Sequence, residues 1–181
     1  VRRLLSGEPG RLHYPVALGE GQFFVCASVG PDSAAVAAVS TELKRTIGRL
    51  AYAVAFLRVL LAWPRPKIHL RVADKDLVCE AFYVAKGRYF AGPWSFAPEA
   101  GLDRPTLHLV AFARMRRIDF ITFSWAMLRG LPIDRLDGAT CLSCTHLVAE
   151  SDGPQAVQAD GDIIASLPIE MKLETTPLQF R

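Results

Sequence analysis

The chain has 181 residues, of which 51% are hydrophobic and 22% charged. That size and composition suit one domain with one buried core and argue against a disordered chain. The formal charge of +3 suits an anionic surface or ligand but is too weak to point to nucleic acid.

The opening "VRRLLSGEPG" reads as the last turns of a helix stopped by Gly7 and Pro9. It is charged and soon broken, unlike a signal peptide. The first residue is Val1, so the chain is expected to be a piece of a longer protein. "RLHYPVAL" and "GQFFVCASVG" are predicted as two strands around Gly19-Glu20-Gly21. A long helical stretch follows over 33–63, ended by Pro64, with Gly48 marking a kink or a break. Its apolar part, "LAYAVAFLRVLLAW", is shorter than the roughly 20 residues a membrane span needs, and it carries Arg58.

Beyond Pro66, "KIHLRVAD" alternates as a strand, Lys75 makes a turn, and "LVCEAFYVAKGRYFAG" and "TLHLVAFA" continue the strands. "RIDFITFSWAMLRG" is predicted as a short amphipathic helix ended by Gly130. The remainder reads as strands and turns: "TCLSCTHLVAE", "SDGP", "QAVQA", "DG", "DIIAS" and "IEMKLET". The fold class is therefore α+β and strand-rich, with a helical insert after the second strand.

Several stretches could carry chemistry. Asp160-Gly161-Asp162 fits a hairpin turn, where Asp-Gly is a favoured pair. Two carboxylates around one glycine would also repel, raising one acid or inviting a cation. "CLSC" has the spacing of a zinc half-site, but alternation puts Cys144 and His146 on one face and Cys141 on the other. Buried, reduced thiols, as in a cytoplasmic protein, are the expected state of Cys26, Cys79, Cys141 and Cys144, so no metal site is assigned. None of the four histidines stands in a G-x-S-x-G setting, and no P-loop or dinucleotide fingerprint occurs. Arg114, Arg116 and Arg117 cluster before an aromatic-rich helix. They form either a charged loop or a contact for anionic lipid headgroups.

Four of these stretches, in order, resemble the second domain of the diacylglycerol kinase-like lipid kinases, the group that includes sphingosine and ceramide kinases. They are "ASVGPDSAAV", "LKRTIGRLAYAVAFLRVL" with Lys44, Gly48 and Tyr52, "AKGRYFAGPWSFAPEAGLD", and "VQADGD" with a proline six residues on. The resemblance implies that residues 1–181 form the β-sandwich-like, lipid-side C-terminal domain of a two-domain kinase. The nucleotide-binding domain with its Gly-Gly-Asp-Gly-Thr motif, which holds ATP and catalytic Mg²⁺, would lie outside this chain.

By that resemblance Asp160 takes the place of the family's general base and Asp162 that of the glutamate beside it. Asp162 is one methylene short of that glutamate. Asp32 takes a Gly-x-Asp position beside the lipid headgroup, where helix capping is the plainer explanation. Where relatives carry Asp-Asp-Gly, "LDRPT" puts Arg104 at the second aspartate, which binds a structural magnesium in those relatives. Arginine cannot ligate a cation, so that site is expected to be absent, with Arg104 supplying positive charge instead. The implied partners are a lipid alcohol and a membrane surface, not nucleic acid. The protein would be cytoplasmic and peripheral to the membrane; the sequence leaves the oligomeric state open, with a homodimer formed by the apolar surface of an excised domain as one outcome. A non-catalytic lipid-binding or scaffolding module with the same fold is the alternative.

Overall fold

The computed structural model describes residues 11–37, 61–63 and 65–180. The opening "VRRLLSGEPG", most of the long helical stretch with Lys44, Gly48 and Tyr52, and Pro64 lie outside the described residues.

Two six-stranded antiparallel sheets form a sandwich. The first has the order β3 (Gly21–Phe23), β2 (Val16–Leu18), β13 (Ile169–Leu173), β10 (His146–Ser151), β5 (Ile68–Val72) and β6 (Lys75–Cys79). The second runs β12 (Asp162–Ser166), β11 (Ala156–Ala159), β4 (Cys26–Val29), β7 (Ala81–Ala85), β8 (Leu107–Phe112) and β9 (Ala139–Cys144). A two-stranded ribbon pairs β1 (Arg11–His13) with β14 (Leu178–Phe180).

The core between the sheets follows from side-chain alternation. β5 buries Ile68, Leu70 and Val72 and exposes His69 and Arg71, as period-two patterning dictates. Opposite them stand Phe82, Val84, Leu107 and Leu109 of the second sheet. β7 is buried at every position because the outer face of its sheet is covered too. There Tyr83, Phe112, Phe96 and Phe123 pack in edge-to-face and tilted pairs, with ring centroids 4.8–6.1 Å apart.

Two helices are described: α1 (Pro31–Ala37) after β4, and α2 (Arg117–Arg129) after β8. α2 ends at Gly130, as its sequence predicts. It is not amphipathic, however. Phe123 and Ala126 are buried on its inner side, while Ile118, Ile121, Trp125 and Leu128 remain 44–57% exposed on its outer side.

Each strand predicted as one long run is divided where the chain passes from one sheet to the other. The crossings fall at Tyr14-Pro15, from the ribbon to the first sheet, and at Phe24-Val25, Glu80 and Thr145, between the two sheets of the sandwich. The helical insert therefore follows the fourth strand. The turn predicted at Lys75 lies at Ala73-Asp74, and Lys75 opens β6.

Candidate functional site

The crossing between β3 and β4 takes three backbone amides out of the sheet ladder, and buried or half-buried amides require partners. Asp160 supplies them. Its Oδ2 accepts from Phe24 N at 2.8 Å, and its Oδ1 accepts from Val25 N and Cys26 N at 2.9 Å each. Asp160 and Gly161 form the two-residue turn joining β11 to β12, with Ala159 opposite Asp162 and positive φ at both turn residues. Aspartate and glycine tolerate that backbone well, which is why this pair suits the turn. A carboxylate has about four lone-pair positions, so three bonds leave one open. The Asp160–Asp162 turn is exposed, and Asp162 opens β12.

The same crossing is gripped from its other side. Val25 O accepts from Lys86 N at 2.8 Å and from Gly87 N at 2.7 Å. The Lys86 side chain is fully buried. Its ammonium donates to Gly101 O at 2.7 Å, Leu102 O at 2.9 Å and Arg104 O at 2.7 Å, satisfying all three protons. Burial pushes Lys86 down to about 8, while the Asp103 carboxylate pulls the other way. The positive charge inside the 101–104 loop is thus that of Lys86. Arg104 lies on the surface and donates to Glu99 O at 2.8 Å.

Asp32 opens α1 within reach of the same strands. Its Oδ2 lies 2.5 Å from Ser28 Oγ, which lies 3.0 Å from Gln158 Oε1. Burial pushes the Asp32 carboxyl up, with the Ser28 hydroxyl opposing. One hydroxyl has one proton, so Ser28 donates to only one of these two oxygens at a time. Among the described residues, Asp32 Oδ1 and the Tyr83 hydroxyl are buried without a hydrogen-bond partner. Both lie close to Gly30, where a Cβ would stand 3.5 Å from the tyrosine oxygen and 3.6 Å from Asp32 Oδ1. It would also meet Ala81 Cβ at 2.9 Å, so only glycine fits between α1 and β7. Burial pushes Tyr83 well above its usual range, and Asp32 adds to it. Burial, then the charges of Asp160 and Asp32, push the Cys26 thiol up to about 12. Asp160 and Asp32 therefore flank one strand, β4.

The basic cluster is elsewhere. Arg114 pairs with Asp137 at 3.0 Å, and Arg116 grips Asp119 through two bonds of 2.8 Å. Arg117 donates to Leu61 O at 2.9 Å and lies 5.8 Å over the Trp63 ring. Cys141 is exposed on β9 and Cys144 ends that strand, while His146 begins β10 in the other sheet. No group of three metal-ligating side chains occurs among the described residues.

Sequence reading missed Lys86, Ser28, Tyr83 and Gln158. Lys86 did leave a signal, because a lone charge closing the apolar run "AFYVA" is a position where burial demands partners.

No curated protein matches the chain. Among solved structures, a candidate diacylglycerol kinase from Bacillus anthracis str. Sterne superposes with a TM-score of 0.66 at 16% identity. The match covers 92% of this chain and 54% of that one. A structure described as a diacylglycerol kinase from the same organism gives a TM-score of 0.60 at 12% identity, over 92% of this chain and 50% of that one. The chain thus spans about half the length of these structures. Residues 25–180 match the YegS C-terminal NAD kinase beta sandwich-like domain. The sandwich, its topological neighbours and this match agree: the chain belongs to the YegS C-terminal NAD kinase beta sandwich-like family.

Proposed function

We propose that this chain is the lipid-side, C-terminal domain of an ATP-dependent lipid kinase acting on a diacylglycerol-like alcohol. The observation that carries the reading is the carboxylate of Asp160, presented on an exposed hairpin and fixed by three amides. The family match over residues 25–180 and the structural neighbours described as diacylglycerol kinases support it.

In this reading the lipid hydroxyl hydrogen-bonds to the open lone pair of Asp160. The carboxylate would accept its proton as the oxygen bonds to the γ-phosphorus of ATP and the bond from that phosphorus to the β-phosphate oxygen breaks, releasing ADP, a contribution of about 10²–10⁴-fold. Asp162 stands beside the hairpin to orient a partner. Asp32, buried behind β4, acts through Ser28 and Gln158 rather than by touching the lipid. Arg104 faces the surface, where it can meet an anionic headgroup. The described residues do not fit ATP or catalytic Mg²⁺: they carry neither a metal-ligating cluster nor a glycine-rich phosphate cradle. Both would be held by a nucleotide-binding domain outside residues 1–181. No described helix is long and apolar enough to cross a membrane. The reading places the protein in the cytoplasm, peripheral to a bilayer through the apolar and basic surface around Arg114, Arg116 and Arg117.

The non-catalytic lipid-binding module is the second reading, and a specific observation favours it. Three of the lone-pair positions of Asp160 are already committed to holding the β3–β4 crossing. The test is transfer of labelled γ-phosphate from ATP to a panel of lipid alcohols by the complete polypeptide. A labelled lipid is expected. A folded, ATP-binding protein that labels none of them would leave the binding module.

A further inference from the structure

We propose that the outer face of α2 is a docking surface for an anionic lipid bilayer. The proposal rests on the lipid-kinase reading for its class of partner, but its geometry does not depend on chemistry at Asp160. Ile118, Ile121, Trp125 and Leu128 recur at spacings of three and four residues, which places them in one stripe along the helix. All four are 44–57% exposed, and Leu131 extends the stripe at 51%. Exposed apolar residues are ordinary singly, but a contiguous stripe marks a contact surface. Beyond Leu128 and Leu131 a cleft of about 690 Å³ continues to Tyr89 and Trp94 on the loop after β7.

Charge complementarity selects the partner. Arg129 lies 5.6 Å over the Trp125 ring and Arg88 5.9 Å over the Tyr89 ring, so exposed aromatics carry guanidinium groups at their faces. Three arginines, Arg114, Arg116 and Arg117, stand at the start of the helix against Asp119 and Asp137, and Arg129 stands at its end. At the start these arginines outnumber the two aspartates, and around the end Arg88, Arg129 and Arg135 outnumber Glu99 and Asp134, so both ends are net positive. A second copy seated by a two-fold axis would bring positive ends together in either orientation. An anionic bilayer instead accepts the apolar stripe below the headgroups, tryptophan and tyrosine at the interface, and arginines among the phosphates.

The test measures partition of the complete polypeptide onto phosphatidylcholine vesicles with and without phosphatidylserine. Ile121→Ser combined with Trp125→Ser is expected to weaken binding at least about ten-fold, because two partly inserted apolar side chains are lost. Arg129→Glu is expected to remove about five-fold or more of the preference for phosphatidylserine. Both variants should melt with the wild type, since the altered positions are exposed. Unchanged vesicle binding by the double variant, or no binding by the wild type, would overturn the proposal. So would a concentration-dependent dimer that the double variant abolishes, because that would give the face to a second copy. Phosphate transfer to a short-chain lipid alcohol in solution separates the two claims. Transfer without vesicle binding defeats only the docking surface, and vesicle binding without transfer defeats only the kinase reading.

Discussion

The β3–β4 crossing and the outer face of α2 present opposite situations. At the crossing, polar groups are engaged: Asp160 holds three amides, and Lys86 both donates its own amide to Val25 and fills the 101–104 loop with its ammonium. On α2, four large apolar side chains lie open in a single stripe. A satisfied polar knot holds its geometry because each loosened bond leaves a buried group unpaired. An uncovered apolar stripe gains by being covered. The residues most suggestive in the sequence are thus already at work inside the fold, while an unremarkable helix keeps the surface that is still to be filled.

The polar knot is most sensitive at Lys86. Lys86→Met keeps the length and apolar stem but leaves three carbonyls without a donor, and it is expected to cost about 3–5 kcal/mol in denaturant unfolding. A loss under about 1 kcal/mol would mean that the loop reseals by itself and that the knot is no unit.

Glu80 sharpens the boundary between the two regions, because its carboxylate accepts the Met115 amide at 2.7 Å just before α2 and pairs with Arg65 at 2.7 Å. Burial opposes the charge of Glu80, but the Arg65 guanidinium and the Met115 amide outweigh it and hold the carboxyl below its usual value of 4.5. A carboxyl lowered in the folded state contributes stability above its unfolded value, and that stability fades as pH falls through the folded one. Glu80→Ala is expected to cost about 1–2 kcal/mol near neutral pH, through the orphaned amide. The gap to wild type should narrow on acidification below 4.5. Unfolding midpoints across that range check the sign, and a gap independent of pH would remove Glu80's charge from the account.

The alternation of β5, the helix stop at Gly130 and the Asp-Gly hairpin were legible because each is written in neighbouring residues. The division of the long strand runs at Phe24-Val25, Glu80 and Thr145 was not, because both halves of a strand that changes sheets keep apolar side chains turned toward cores. Of these corners only Glu80 interrupts its run with a charge. The family's four motifs led to Asp160 and Asp32, but not to their partners. The amides that bind Asp160 lie 134–136 residues away, and the acceptors of Lys86 are carbonyls, which every residue carries. The bare outer side of α2 was hidden in its composition, since an apolar residue in a helix does not announce whether anything packs against it.

Asp160 is where the two roles, strut and base, can be separated. The deciding measurement is turnover and ATP affinity of the complete polypeptide with Asp160→Ala, taken at a temperature where unfolding curves show the variant still folded. A base at Asp160 predicts a fall in turnover of about two orders of magnitude or more with ATP affinity nearly unchanged. A folded variant with wild-type turnover would contradict it and leave the carboxylate as a clamp on three amides.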